Sequence, residues 1–278
     1  MPSYQPCMAN NPTGTKLGAA SPPIDQPYGL IVDGQQRTVA LREAELKHFP
    51  VFVVDFIAED EAEQREQFLL VNSTKPLLKG LLYELLPSID PPLPEALARR
   101  RFPTAILGRL NHDGDSPFRG MISTPTAPRG VVKDNSVLRM IENSLTDGAL
   151  FRFRRPGSDG GDIDGMLALL KNYWRSVGTV FPAAWGKPPK RSRLMHGAGI
   201  ASMGFLMDAL ADSHRRTRIP STSQFATGLH AIWPDCRWTD GFWHVSENHQ
   251  IKWSDLQNTA SHIQILTDYL LARYRRSR

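Results

Sequence analysis

The stretch Leu30-Ile31-Val32-Asp33-Gly34-Gln35-Gln36-Arg37 decides how the rest of the chain is read. Residues 28–32 form a short apolar run with the composition of a buried strand. Asp33-Gly34 is a turn-forming pair, and residues 35–46 are rich in helix formers, with Val39 and Leu46 one heptad apart. A strand that passes through a tight turn straight into a helix gathers unpaired backbone N–H groups and the positive end of the helix dipole at one point. That geometry binds anions, phosphate above all. Arg37, in the first turn, can fork onto a phosphate bidentately. Gln35 and Gln36 add donors without charge, Gly34 lets a ligand approach the backbone, and Asp33 can hold a divalent cation or orient a water. The same residues also have a structural reading, in which Asp33 caps the helix, Gly34 makes the turn and Arg37 pairs with Glu43 or Glu45.

Working outward, residues 50–56 (Pro-Val-Phe-Val-Val-Asp-Phe) read as a second strand. Residues 58–72 read as a helix with an acidic first turn, 59–63, where negative charge is favoured. Thr74-Lys75-Pro76 breaks it, and Pro76 suits the first turn of another helix running to about Leu86. The order strand, helix, strand, helix, helix describes a small α/β unit. Two strands do not make a stable sheet, and residues 1–27 are Pro-, Asn-, Gly- and Ser-rich, the composition of a disordered leader. The expectation is therefore either that further strands come from beyond residue 100, or that the chain is a fragment lacking its natural N-terminus.

The segment 30–37 resembles the strand-turn-helix motif of the ParB/sulfiredoxin superfamily, whose ParB branch carries a Gly-Glu-Arg-Arg core after a strand. It is most similar to the DGQHR-domain group found in DNA-modification clusters, including DpdB-like proteins of 7-deazaguanine insertion and DndB of phosphorothioation, and to GmrS-like modification-dependent restriction enzymes. Phe49-Pro50-Val51-Phe52-Val53-Val54 resembles the following ParB strand. Glu66-Gln67-Phe68-Leu69-Leu70-Val71-Asn72-Ser73-Thr74-Lys75-Pro76-Leu77 resembles the second ParB nucleotide motif. Residues 110–118 and 253–259 resemble further parts of the DGQHR group.

The resemblance implies an ATP or other nucleoside triphosphate site with Mg²⁺, formed where the two turns face each other. Asp33, Gln36 and Arg37 would be catalytic, with Asp33 and Asn72 on the metal. Gly34, Gln35, Arg37, Asn72, Ser73, Thr74 and Lys75 would hold the nucleotide. Lys75 departs from the usual arginine and would act as a point charge rather than a planar fork. The implied activity is ATP or NTP hydrolysis supporting bacterial DNA modification or phage defence, in concert with other proteins of such a system. A non-catalytic DNA-binding regulator is the alternative, and a restriction component a third.

The second half reads differently. Residues 87–103 are Pro- and Arg-rich and read as a connection, and 104–110 is an apolar stretch. Residues 137–145, 166–177, 200–210 and 254–274 show apolar positions at helical spacing. The fold expected overall is α+β: a small ParB/sulfiredoxin-like mixed α/β domain over 28–150, followed by a mainly helical region over 151–278. Residues 1–139 hold 15 Lys/Arg against 16 Asp/Glu, whereas residues 140–278 hold 18 against 12. The excess gathers at 187–193, 214–218 and 273–278, clusters suited to DNA phosphates or simply to a solvated surface.

Other candidates are weaker. Asp113 and Asp115, beside Asn111 and His112, supply hard oxygen ligands for a divalent metal, or form an Asx-rich turn bonded to itself. His196-Gly197-Ala198-Gly199 looks like a glycine loop but also like a closely packed helix start. His230, His244, His249 and His262 share no ligand spacing. Trp233, Trp238, Trp243 and Trp253 read as a satellite core or, less simply, as a base-stacking platform. Cys7 and Cys236 make neither a disulfide framework nor a metal site, which points to a reducing cytoplasm. No run of about 18 apolar residues occurs, and the N-terminus lacks a signal-peptide pattern, so no membrane association is expected.

Overall fold

The computed structural model describes residues 31–44, 49, 51, 58, 60–72, 79–88, 95–155, 160–214 and 217–277, and the chain divides into two compact units, Met1–Val53 and Val54–Arg278.

The described part of the first unit contains one helix, α1 (Gln35–Glu43), entered through Gly34. None of its residues is buried, and Ile31, Val39, Phe49 and Val51 are all exposed. Ile31, Val32 and Val51 are not in strands. The remainder of the two strands expected at 28–32 and 50–56 lies outside the described residues.

The first described element of the second unit is α2 (Glu61–Asn72), which starts three residues later than its composition suggests. The reason is local: the Asp60 carboxylate accepts the Glu63 amide at 2.8 Å and fixes the helix start there. After α3 (Lys79–Leu85) and a 3₁₀ turn at Leu86–Ser88 comes α4 (Glu95–His112). Here the sequence misleads. The supposed connection and the apolar stretch at 104–110 form one helix, with Pro103 inside it. Buried Ile106, Leu107 and Leu110 anchor its second half, and the buried Thr104 hydroxyl donates to the carbonyls of Arg100 (2.9 Å) and Arg101 (2.8 Å) beside the proline. Tertiary burial outweighs the loss of a single amide donor.

Two short strands follow, β1 (Ile122–Ser123) and β2 (Val132–Lys133), paired in parallel. Among the described residues the later elements are helices apart from one hairpin and an isolated antiparallel bridge between Arg154 and Gly161: α5 (Asp134–Asp147), α6 (Ile163–Val180), α7 (Gly197–Ser213) and α8 (Thr222–Ile232), then β3 (Phe242–Ser246) antiparallel to β4 (His249–Lys252), and α9 (Ala260–Arg276). Packing runs α4 on α5, α5 on α7, α7 on α9, and α6 on α8. Tyr173, Trp174 and Phe225 are fully buried at the centre, with Tyr173 edge-on to both neighbours at 5.2–5.3 Å.

One core holds residues from Tyr83 to Tyr274. The expected division near residue 150 therefore falls inside a continuous core, because α5 buries its apolar face against α7 instead of against a sheet of its own. The chain is of mixed α+β composition and mainly helical. Among the described residues no helix is long and apolar enough to cross a membrane.

Candidate functional site

At the Asp33–Arg37 turn, Gly34 has φ of 91° and ψ of 14°, the left-handed conformation that a side chain resists. Its carbonyl accepts the first helical bond from the Thr38 amide (2.9 Å) and a second from the Thr38 hydroxyl (3.1 Å). The helix start has no side-chain cap. Asp33 does not close it but pairs with Arg37, Oδ2 to Nη2 at 3.0 Å, where the sequence suggested Glu43 or Glu45 as the partner. The guanidinium folds back over Gly34, so that a Cβ there would meet Nη2 at 3.3 Å. Gln35 turns its amide to the Ile31 carbonyl at 2.7 Å, so its side chain braces the turn. Gln36 is exposed. Both ionic side chains remain open to water, Arg37 at 76% and Asp33 at 44% exposure. The turn thus presents uncapped helix amides, a guanidinium and a carboxylate on one exposed surface of the first unit.

Asn72 is the last residue of α2. Ser73, Thr74 and Lys75 lie outside the described residues, as does the Asn72 side chain.

The Asp113/Asp115 pair, expected as a second metal site, converges instead on an internal ammonium group. Lys171 of α6 reaches Asp113 Oδ2 at 2.8 Å and Asp115 Oδ1 at 2.5 Å, and is only 10% exposed. Arg109 adds a second cation to Asp113 at 2.9 Å. Hydrogen bonds from Arg109 and then Lys171 hold the Asp113 carboxyl below the usual range, and Lys171 does the same for Asp115. Burial works against the Lys171 charge, but the two carboxylates more than offset it and leave its pKa raised. A metal ion would have to displace that ammonium. Asn111 is likewise committed: its side chain exchanges two hydrogen bonds with the Ile122 backbone and pins β1 to α4. Among the described residues no three His, Cys, Asp or Glu side chains form a group that could hold a metal.

The basic clusters separate into structural and exposed members. The Arg193 guanidinium donates to the carbonyls of Ser254 and Pro189. Arg218 pairs with Asp162 at 3.1 Å and lies over Phe153, and Arg273 lies over Tyr269. Lys187, Lys190 and Arg191 are exposed, and none of them has an ion pair among the described residues. Of the tryptophans, Trp238 and Trp243 belong to the main core, edge-to-face at 4.9 Å, Trp253 is half-buried and Trp233 is exposed. His196 accepts the Ala198 amide as a helix cap, and Gly199 is packed against the backbone of Arg193 and Leu194.

Two polar sites escaped the sequence reading, Lys171 and Asp208. Each directly follows an apolar run, residues 166–170 before Lys171 and 205–207 before Asp208, and a charge set on such a run was the available signal. No family model, curated protein or solved structure matches the chain.

Proposed function

We propose that the protein binds a nucleoside triphosphate with Mg²⁺ at the Asp33–Arg37 turn and hydrolyses it in support of bacterial DNA modification, of the 7-deazaguanine or phosphorothioate kind. The observation that carries this reading is the uncapped start of α1, with Arg37 and Asp33 exposed beside it. Backbone amides and a guanidinium suit phosphate oxygens. The Asp33–Arg37 pair is an exposed one, worth about 0–1 kcal/mol, so a ligand separates it at little cost. Arg37 then turns to phosphate and Asp33 to Mg²⁺ or the attacking water. The resemblance to ParB-type proteins also assigns triphosphate binding to Lys75 and Asn72. Phosphoryl transfer asks mainly for positioning and charge stabilisation, which such a constellation supplies.

Calorimetric titration with ATP, CTP and GTP in the presence of Mg²⁺ tests the proposal. At least one nucleotide should bind, and Arg37→Ala should abolish binding and hydrolysis without moving the melting temperature, since the side chain supports no packing. Unchanged affinity in Arg37→Ala, or no binding by any of the three, sinks it.

A second reading, a non-catalytic DNA-binding regulator, is favoured by one observation: Lys187, Lys190 and Arg191 stand exposed on one loop with no described ion pair. Filter binding to duplex DNA at several salt concentrations separates the readings. On the regulatory one, DNA binding survives Arg37→Ala. The log–log salt slope then shrinks by about 0.9 for each of these three cations removed.

A further inference from the structure

Between α3, α4, the loop after β1 and the start of α5 lies a cleft of about 260 Å³. That is just under the roughly 300 Å³ at which pockets for organic ligands begin, so the space suits a small molecule.

Three features give the cleft its chemistry. Its walls include the apolar surfaces of Tyr83, Leu107 and Leu138. Gly108 lies on the cleft side of α4, where a Cβ would meet nothing within 4 Å. A glycine inside a helix costs about 1 kcal/mol relative to alanine, and no neighbour here requires it; its missing side chain leaves the cleft open. The third feature is charge. Glu84 stands one helical turn from Gly80 on α3, and Gly80 packs against the Asp134 carboxylate, so both acids line the same wall. Glu84 accepts from the Thr126 hydroxyl (2.6 Å) and amide (3.3 Å), and Asp134 Oδ1 accepts from the Asn135 amide (2.6 Å). Among the described residues neither carboxylate has a cationic partner. Arg100, which stacks on the Tyr83 ring, is paired with Glu142 at 3.5 Å. His112 holds its Nδ1 against the Gly108 carbonyl at 2.8 Å; with the proton on Nδ1, Nε2 is left as an acceptor.

We infer that this cleft binds a small organic ammonium ion, its cation held by Glu84 and Asp134 and its apolar body against Tyr83, Leu107 and Leu138. A cation satisfies two half-buried carboxylates that an anion would repel, and the apolar walls reward a hydrocarbon body.

Titration of the full chain with benzylamine, benzyl alcohol and benzoate tests the inference. Benzylamine should bind saturably, the isosteric alcohol at least about tenfold more weakly and benzoate not at all. Glu84→Gln and Asp134→Asn keep the local hydrogen bonds and should each weaken benzylamine about tenfold. Gly108→Leu, whose side chain enters open space, should block it while circular dichroism and melting temperature stay at wild-type values. Arg37→Ala should bind benzylamine normally, so failure of the nucleotide reading leaves this result untouched. Equal affinity for amine and alcohol, undiminished binding by Gly108→Leu, or no saturable benzylamine binding overturns the inference.

Discussion

Asp208 lies on the α7 face that meets the end of α5, where its Oδ1 accepts the Ser144 hydroxyl at 2.5 Å and the Ala149 amide at 2.8 Å. Burial pushes its carboxyl up to about 6, and the Asp147 charge adds to that. The two hydrogen bonds and Arg152 pull the other way. A carboxyl whose folded pKa exceeds its unfolded one stabilises most when protonated. Its contribution is full below about pH 4 and lost as pH rises to about 6. At about 1.4 kcal/mol per pKa unit, ionisation costs up to about 3 kcal/mol. Asp208→Asn keeps an acceptor for both bonds, so it should raise the melting temperature at pH 7.5 by several degrees and flatten its dependence between pH 4 and 6 relative to wild type. Scanning calorimetry across that range checks both.

Lys171 makes the opposite case. Replacing it with Met keeps its stem packing but leaves Asp113 and Asp115 short of a cation. With Asp115 largely solvated, we expect a loss of about 1–2 kcal/mol, less than for a fully buried pair; urea denaturation reads it. The two aspartates were legible in the sequence as a polar turn. Their partner was not, because it lies 56–58 residues away on another helix.

Among the elements, α5, α6, α7 and α9 were legible because each carries enough apolar residues at helical spacing; the first three extend two or three residues beyond the expected ends, whereas α9 starts at Ala260, six residues later than expected. Helix α4 was not, since Pro103 and the run Arg99-Arg100-Arg101 look like a connection until Ile106, Leu107 and Leu110 are seen in the core. Helix α8 was missed although its signal was present. Ser221 and Gln224 form a reciprocal capping box, the spacing that marks a helix start. Phe225, one residue on, is fully buried against Tyr173. Ser221→Ala should therefore cost about 1 kcal/mol, visible as a lower urea midpoint with an unchanged slope. An unchanged midpoint would show that tertiary packing alone holds α8. The hairpin β3–β4 went unread because its buried positions, Trp243 and Ile251, are too few to set an alternating pattern.

At the scale of the molecule, the sequence reading placed its division near residue 150, whereas the chain divides at Val53/Val54 and the core runs from Tyr83 to Tyr274. A division near residue 150 cuts through that core, because α5 packs on α7 and α4 on both α5 and α6. Helix α1 begins at Gln35, directly after Asp33-Gly34, and the left-handed glycine follows from local chemistry, whereas the Asp33–Arg37 pair replaces the Glu43 or Glu45 partner expected for Arg37. What the second turn contributes was not a local matter. Among the described residues the core contains none before Tyr83, so a chain lacking residues 1–53 should melt within a few degrees of the intact protein. A large drop in a calorimetric scan would mean that the first unit supports the core.

Arg193 carries a last consequence. By gripping the Ser254 and Pro189 carbonyls, it moors the loop on which Lys187, Lys190 and Arg191 stand. Those three charges then form a preset template instead of a floppy tether. An acidic partner landing there would freeze few torsions, so its association would be favoured by a small entropic penalty as much as by attraction.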